Sequence, residues 1–252
     1  MKDEEYRAMF DLEEHLWWYR GMRAITASLL SQCLGTTNRR LLDIGCGTGY
    51  SMSWLRKTFD FNQAFGIDLS PLAAAFWKTR ELDTVTLGSA DRLPFLPEEF
   101  DLVTCFDVIY QLNDERASKS VAEMHRVLSP GGFLFIREPA YQWMRGAHDV
   151  AVGTHRRYTL VDLRRLLIAH GFKIRRTTYA NTLLFWLAAP HRLLSKWRRS
   201  TESDVKPVPK LLNTVFGAAL NLEAKLLRGR LSFPFGLSAI IVAQKERSNH
   251  SF

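Results

Sequence analysis

The feature that most constrains the fold of this chain is a glycine-rich loop. It lies between an apolar run and a stretch that is compatible with a helix. Residues 40–57 read as a buried strand, a tight turn and a helix, and the turn holds Gly45, Gly47 and Gly49 at alternate positions. Glycine adopts backbone angles that other residues avoid, and its missing Cβ lets the backbone approach a bulky ligand. Such a loop also aims the amides of a helix N-terminus at whatever lies above it. The pattern therefore predicts a strand–loop–helix unit that binds a ligand.

Two carboxylates accompany this loop. Asp43 ends the first strand, where it suits an ammonium or sulfonium group and repels phosphates. Asp68 ends a second buried strand over residues 63–68, about 20 residues beyond the loop, where a carboxylate can accept both hydroxyls of a ribose. Tyr50 stands near the position of the third glycine in a dinucleotide fingerprint, so a nicotinamide site fits less well. Glycines at turns are also common for structural reasons alone, and the spaced acid favours the ligand site.

The runs D-I-G-C-G-T-G from Asp43 and G-I-D-L-S from Gly66 resemble the first two motifs of class I S-adenosylmethionine-dependent methyltransferases. Residues 88–95, the F-D entry at residues 100–101 and the run H-R-V-L-S-P-G-G at residues 125–132 are similar to later motifs of that family. The aromatic segment at residues 15–23 resembles a subgroup that acts on small molecules. The resemblance implies an α/β fold, a Rossmann-like seven-stranded doubly wound sheet whose last strand is antiparallel.

The resemblance also implies the residues that contact the cofactor, S-adenosylmethionine: Asp43, Gly45, Cys46, Gly47, Gly49, Asp68, Leu69, Ser89, Ala90, Phe106 and Asp107. Ser89 stands where family members commonly have an acid for the adenine amino group. After the fourth strand the family often continues with a glutamate and a histidine, whereas this chain has Tyr110 and Gln111. No general base is therefore carried over from that position. An N/D-P-P-aromatic motif is also missing there, which weighs against a DNA or protein amide-nitrogen target.

The loop after the fifth strand is the predicted mouth for the substrate. Loops at the carboxyl ends of the strands build the site in a doubly wound sheet, and residues 138–158 are rich in aromatic and titratable side chains. His148 and His155 are the candidate general bases, because imidazole titrates near neutral pH. Each could instead serve only to hydrogen-bond the loop in place. The predicted substrate contacts are Tyr19, Tyr110, Tyr141 and Tyr158.

The chain divides into four predicted segments: a helical cover at 1–36, a methyltransferase core at 37–179, a helical insertion or lid at 180–236, and a final strand with a tail at 237–252. The insertion separates strands six and seven, where a simple family member has a short turn. It begins apolar and becomes basic over residues 192–199. This pattern suits an interfacial helix at an anionic membrane, a lid over an apolar substrate, or an ordinary core helix.

The net charge of +8 is unevenly distributed. Residues 1–136 hold 14 lysines and arginines against 19 acids, whereas residues 137–252 hold 20 against 7. The basic half could attract an anionic small molecule, a membrane surface or nucleic acid, or could simply be a soluble surface. We expect a cytoplasmic protein, because no signal peptide or run of 18 apolar residues is evident. Three cysteines without ligand spacing fit a reducing compartment and predict no metal site.

These observations lead to one functional hypothesis and two alternatives. The hypothesis is methyl transfer from S-adenosylmethionine to an oxygen or amine nitrogen of a small metabolite, either hydrophobic or anionic. Nucleic acid is not the expected substrate, because the basic residues are not accompanied by a recognisable RNA-binding module. The alternatives are an inactive scaffold that binds the cofactor, and a methyltransferase for a lipid-linked substrate at a membrane surface, reached through the basic insertion. The sequence does not predict the oligomeric state.

Overall fold

A computed structural model describes residues 3–35, 39–146, 149, 153–187, 189 and 208–247. The helices of this part are α1 (Asp3–Leu12), α2 (Trp17–Leu30), α3 (Tyr50–Phe59), α4 (Pro71–Thr79), α5 (Asp114–Val127), α6 (Leu160–Ala169) and α7 (Lys210–Arg228). The strands are β1 (Arg40–Ile44), β2 (Gln63–Asp68), β3 (Val85–Leu87), β4 (Phe100–Phe106), β5 (Leu128–Pro139), β6 (Phe172–Ala180) and β7 (Ser238–Lys245). Single 3-10 turns lie at Ile109–Gln111 and Gln142–Met144.

The strands form one sheet in the order β3-β2-β1-β4-β5-β7-β6. Strands β1 to β5 pair in parallel, and β7 lies antiparallel between β5 and β6. The predicted seven-stranded doubly wound sheet with an antiparallel last strand is confirmed. The strand order reverses at β1 and β4, and in such sheets ligands bind in the crevice outside the carboxyl ends of the strands at that point. The two predicted carboxylates, Asp43 and Asp68, stand at these ends.

Strand β5 is longer than the sequence indicates. The turn signal at residues 129–132 predicts a strand over residues 133–136 only, yet β5 runs over Leu128–Pro139. Phe100 pairs with Leu128 and Leu102 pairs with Phe133, so the residues between them bulge without ending the strand. At the other end, β5 continues through Arg137 and Glu138, two charged residues that the pattern does not place in a buried strand.

Helices cover both faces of the sheet. On one face, α5 and α6 contribute Val121, Met124, Leu163 and Leu167 to a core cluster. On the other face, α2, α3 and α7 contribute residues such as Ile25, Leu29, Leu55, Leu220 and Leu227. The predicted N-terminal cover and insertion thus supply helices to the second layer of the core. Their boundaries as separate segments stay a prediction.

Helices α2 and α7, from opposite ends of the sequence, pack closely against each other. A Cβ built on Gly21 of α2 would lie 2.4 Å from Cβ of Leu220 on α7, so only glycine fits this crossing. The backbone N–H of Trp17 also donates to Oδ1 of Asn213 at 2.7 Å. The helix of the predicted insertion is thereby fixed to the cover. No helix in the described part of the chain is long and apolar enough to span a membrane.

This crossing yields a stability prediction with a matched control. Gly21→Ala should lower the free energy of unfolding by about 1–3 kcal/mol, because the added methyl group meets a side-chain atom close to the α7 backbone. Gly217→Ala changes a second helical glycine, where a Cβ would meet only Cβ of Trp17 at 3.8 Å. Alanine is the better helix former, so this variant should gain up to about 1 kcal/mol. Urea unfolding measures both, and equal stability of the two variants would contradict the close crossing.

Candidate functional site

A cavity of about 860 Å³ opens at the carboxyl ends of the central strands. This volume lies in the upper part of the range for small-molecule sites. Ten of the eleven predicted cofactor contacts line it: Asp43, Gly45, Cys46, Gly47, Asp68, Leu69, Ser89, Ala90, Phe106 and Asp107. Gly49 is not among the lining residues. It precedes α3 with φ of 83°, and its Cβ would lie 2.2 Å from a methyl carbon of Leu82. The role of Gly49 in the structure is therefore to form the turn that leads into α3.

The glycine loop is closely surrounded at its other two glycines. Gly45 and Gly47 have φ of 71° and 55°, in the left-handed region that favours glycine. A Cβ on Gly45 would lie 2.3 Å from Cγ2 of Val108, and one on Gly47 would lie 2.8 Å from Cε of Met9. Both positions favour glycine by backbone angle, and Gly45 does so by space as well, because the branched side chain of Val108 has little freedom to move. Met9 belongs to α1, so the cover lies directly on the loop.

Asp43 is buried at the floor of the cavity. The hydroxyl of Thr104 donates to its Oδ1 at 2.6 Å. Its Oδ2 is buried and has no hydrogen-bond partner among the described residues. Burial raises the pKa of this carboxyl group to about 7. A buried carboxylate oxygen without a partner is costly, and a cationic donor in the cavity would stabilise it.

Asp68 connects three separate segments. The backbone N–H of Gly47 donates to Oδ2 at 2.9 Å, and the N–H of Ser70 donates to Oδ1 at the same distance. The hydroxyl of Tyr6, on α1, donates to Oδ1 at 3.0 Å. Oδ1 thus has two partners and Oδ2 one. Since each carboxylate oxygen carries two lone pairs, Oδ2 keeps one for a ligand hydroxyl. Both lone pairs of Oδ1 are used, so a ligand hydroxyl could bind there only in place of one of its partners, such as Tyr6.

A second contact fixes the cover to the loop. The hydroxyl of Thr48 donates to the carboxylate of Glu13 at 2.6 Å, and Arg80 forms an ion pair with the same group at 2.8 Å. Burial is the largest influence on Glu13 and raises its pKa to about 7 in spite of these partners. Arg23 donates to the carbonyl oxygen of Glu13 at 2.6 Å and lines the cavity. The turn between α1 and α2 is therefore tied to the cofactor loop.

An arginine at the end of β5 is held between two rings. The guanidinium of Arg137 lies 5.2 Å from the ring centre of Trp18 and 4.9 Å from that of Phe106. Its Nε donates to Oδ2 of Asp107 at 3.1 Å, and a second nitrogen contacts the same oxygen. Asp107 has φ of 57°, which a non-glycine residue rarely adopts. The ion pair and the ring contacts fix the polar centre of the cavity.

The next residue along β5, Glu138, positions the turn after β4. Its buried carboxylate accepts from the backbone N–H groups of Val108, Ile109 and Tyr110 at 3.1–3.3 Å. Burial raises the pKa of Glu138 well above its usual range. The turn that it holds places Tyr110 and Gln111 at the cavity, as predicted for the substrate side.

The four predicted substrate tyrosines separate into two groups. Tyr19 and Tyr110 line the cavity. Tyr141 and Tyr158 do not. Tyr141 stacks on Tyr179 with ring centres 5.1 Å apart, and Tyr158 is buried in the core. Their predicted contact with the substrate stays a prediction that the cavity does not support.

The structure describes one of the two predicted general bases. His148 lies outside the described residues. His155 is exposed, donates its backbone N–H to the carbonyl oxygen of Tyr110 at 2.8 Å, and does not line the cavity. From the same loop, Asp149 and Arg157 do line the cavity, as a buried ion pair at 2.8 Å. Catalysis by either histidine stays a prediction.

The far side of the glycine loop carries an ion pair next to Ser89. Nε of Arg116 donates to Oδ2 of Asp91 at 2.7 Å, and another nitrogen of Arg116 donates to the Ser89 hydroxyl at 3.0 Å. The hydrogen bond from Arg116 lowers the pKa of Asp91 to about 2. Arg116, on α5, lines the cavity beside Ser89 and Ala90.

Sequence reasoning did not assign several residues of the cavity, namely Tyr6, Glu13, Arg116, Arg137 and Asn181. A usable signal exists for Arg137, because a charged residue directly after an apolar parallel strand stands at the edge where ligands bind. No group of three potential metal ligands occurs in the part of the chain that the structure describes.

Comparison with known proteins agrees with this geometry. Residues 42–136 match the family model of a methyltransferase domain. Phthiotriol/phenolphthiotriol dimycocerosates methyltransferase 1 of Mycobacterium ulcerans is 31% identical over 119 residues, which are 46% of this chain and 41% of that protein. Ubiquinone biosynthesis O-methyltransferase of Pseudomonas syringae pv. syringae is 24% identical over 144 residues, or 51% of this chain and 60% of the relative. The chain thus spans about half the length of these curated relatives.

Among solved structures, an S-adenosylmethionine-dependent methyltransferase from Mesorhizobium loti has the same fold. It superposes with a TM-score of 0.58 at 17% identity and covers 88% of this chain and 97% of its own. Three findings point to the same family. They are the order of the strands in the sheet, the glycine loop with its two acids, and the match to the methyltransferase domain. Residues 42–136 therefore form a methyltransferase domain, and the fold around them is that of an S-adenosylmethionine-dependent methyltransferase.

Proposed function

We propose that this protein transfers a methyl group from S-adenosylmethionine to an oxygen or amine nitrogen of a small metabolite. The observation that carries the proposal is the pair of acids around the glycine loop in one large cavity. Asp43 offers a buried carboxylate oxygen without a described partner, and Asp68 offers an oxygen with a free lone pair. The cavity of about 860 Å³ lies in the upper part of the range for small-molecule sites, which supports an acceptor beside the cofactor.

The residues present fit the cofactor. The carboxylate of Asp43 suits an ammonium group, and the free lone pair on Asp68 suits a ribose hydroxyl. Gly45 and Gly47 leave room where any side chain would clash, and Ser89 and Ala90 line the side expected for the base. When bound, the cofactor supplies a methyl group that its sulfonium already activates.

The residues of the chain would then mainly hold the cofactor and the acceptor and orient them for the reaction. Holding two reactants in line at near-attack distance can account for about 7–11 kcal/mol of a barrier. Tyr110 and Gln111, which Glu138 holds through the backbone, face the cavity where an acceptor would lie. Trp18, whose ring lies against the guanidinium of Arg137, lines the same cavity. The apolar walls and the charged centre suit a hydrophobic or anionic acceptor.

A second candidate function is methylation of a lipid-linked substrate at a membrane surface. Trp186 is 67% exposed and Leu187 is 63% exposed, beside the ring of Phe235, whose centre lies 5.4 Å from that of Trp186. Exposed apolar patches mark interaction sites, and tryptophan favours the membrane–water interface. The basic run at residues 192–199 follows this patch in the sequence. The M. ulcerans relative is named for a lipid substrate, which agrees with this candidate.

The first test is calorimetric titration with S-adenosylhomocysteine, the reaction product. Asp68→Ala should weaken binding by about 100-fold or more, because hydrogen bonds to a charged group contribute about 1.5–3 kcal/mol each. Asp83→Ala, at an exposed acid outside the cavity, is the matched control and should bind like the wild type. Wild-type protein that does not bind the product would overturn the proposal. Binding without transfer of labelled methyl to any metabolite would favour the scaffold alternative.

The second test uses the pH dependence of the same titration. The free Asp43 carboxyl has a pKa of about 7, and a bound ammonium group would lower that pKa. Affinity should therefore rise about tenfold from pH 6 to pH 8 and level off above the free pKa, with release of a proton below it. Asp43→Asn should abolish this rise, whereas Asp83→Ala should keep it. An unchanged pH profile in Asp43→Asn would contradict the assigned contact.

The membrane candidate is tested by sedimentation with vesicles. Full-length protein should bind vesicles that contain phosphatidylglycerol more strongly than pure phosphatidylcholine vesicles. The double variant Trp186→Ala, Leu187→Ala should reduce that binding by about fivefold or more, because it removes buried apolar area. Val161→Ala, at an exposed apolar position on α6, is the control. Equal binding to both kinds of vesicle, or no effect of the double variant, argues against this candidate.

A further inference from the structure

The turn that follows β6 carries a buried polar group that nothing so far explains. Asn181 is 1% exposed and lines the cavity. Its side-chain Oδ1 is buried and accepts no hydrogen bond from any described residue. Buried side-chain oxygens nearly always have a partner, and leaving one without any costs about 1–3 kcal/mol. An oxygen of this kind on a cavity wall indicates that a ligand supplies the missing donor.

The turn is held firmly, so the amide has a fixed place. The backbone N–H of Asn181 donates to Oε2 of Glu223 at 2.8 Å, and the N–H of Leu183 donates to Oε1 at 2.6 Å. Glu223 lies on α7 and is fully buried. The hydroxyl of Thr182 donates to the carbonyl oxygen of Phe235 at 2.6 Å. Asn181 itself has φ of 60°, a conformation that asparagine tolerates better than most residues.

Asn181 lies at the opposite end of the cavity from the cofactor acids. Asp43 and Asp68 end β1 and β2, whereas Asn181 follows β6, the last strand of the sheet order. Neighbouring strands lie about 4.8 Å apart, so β6 is roughly 14 Å from β4 and roughly 19 Å from β1. The cofactor contacts end at Phe106 and Asp107, directly after β4. Asn181 is therefore available to the second molecule in the cavity.

The wall between these two ends combines apolar side chains with charged groups that are paired, namely Arg137 with Asp107 and Arg157 with Asp149. Trp17, Met144, Phe216 and Leu237 line the cavity on this side. Pro139 and Ser238, which pair across β5 and β7, also line it next to the turn. Ala180, just before Asn181, pairs with the same Ser238 from β6. A molecule that extends from β4 to Asn181 thus passes apolar side chains and paired charges, and at its far end it meets the amide oxygen of Asn181, which has no partner among the described residues.

We propose that Asn181 binds the distal end of the methyl acceptor. The acceptor is an elongated, largely apolar molecule with a hydroxyl or N–H group roughly 10–15 Å from the atom that is methylated. A donor is required because the amide oxygen can only accept a hydrogen bond. This inference rests on the proposed function, since it assigns the other end of the same cavity, and it selects the acceptor by length and by its terminal group.

Two rod-shaped probes test the inference without knowledge of the natural acceptor. 4-Hydroxybiphenyl carries a donor at one end, and 4-methylbiphenyl has nearly the same length without a donor. In calorimetric titrations with and without S-adenosylhomocysteine, the wild type should bind the phenol about 3–10 times more tightly, as expected for one hydrogen bond. Asn181→Gly keeps the left-handed backbone and removes the amide, so the two affinities should become equal. Asn181→Asp keeps an acceptor and should restore the preference.

Asp60→Gly is the matched control, because Asp60 also has a left-handed φ, of 53°, but is exposed and outside the cavity. It should keep the wild-type preference for the phenol. Absence of any preference in the wild type, or a preference that Asn181→Gly retains, would overturn the inference. Failure of S-adenosylhomocysteine to bind the wild type would overturn the proposed function instead, because the comparison of the two probes needs no cofactor.

Discussion

The carboxylate of Asp68 is the interaction on which the site depends. It joins the glycine loop through Gly47, the start of α4 through Ser70, and the N-terminal helix through Tyr6. A single side chain at the end of β2 thereby fixes the shape of the loop and the position of the cover above it. If these oxygens accept the hydroxyls of a ribose, as proposed, the contacts that order the cover would also respond to the cofactor. Tyr6 would then give up or share its place when a second hydroxyl binds.

The sequence predicts well which residues around the glycine loop line the cavity, because its signals there are local. A strand that ends in an acid, followed by glycines with left-handed angles, needs no knowledge of distant residues, and ten of eleven predicted contacts line the cavity. The exception, Gly49, is explained by the close approach of Leu82, more than thirty residues away in the sequence. The extent of β5 was underestimated for a related reason. The residues of the turn signal at 129–132 form a bulge against β4 and do not end the strand. Arg137 and Glu138 remain in the strand because other segments supply their partners: Asp107 pairs with Arg137, and backbone N–H groups after β4 donate to Glu138.

The residues on the proposed acceptor side of the cavity were harder to predict, because they are far apart in the sequence and come together only in the folded chain. Tyr141 and Tyr158 have the aromatic character expected of substrate contacts, yet both pack against neighbours away from the cavity. No pattern in the sequence identifies Asn181, because its position depends on a hydrogen bond to Glu223 of α7, which lies 42 residues further along the chain. The segment expected to act as a separate lid contributes α7, which packs on α2 through Gly21. The cover and the insertion therefore form one wall. Its apolar side chains would contact a molecule that lies above the proposed cofactor site.

The position of β7 between β5 and β6 has a consequence for the way the chain is made. β5 and β6 do not pair with each other, so until β7 has been synthesised β5 lacks one of its two neighbours and β6 has no strand to pair with. About 58 residues separate the end of β6 from the start of β7, and at roughly 5–20 residues per second the ribosome needs several seconds to add them. During that interval the nascent sheet presents two open edges, the kind of surface that pairs with other chains. We therefore expect yield in cells to depend on translation rate and chaperone supply as well as on the stability of the finished fold.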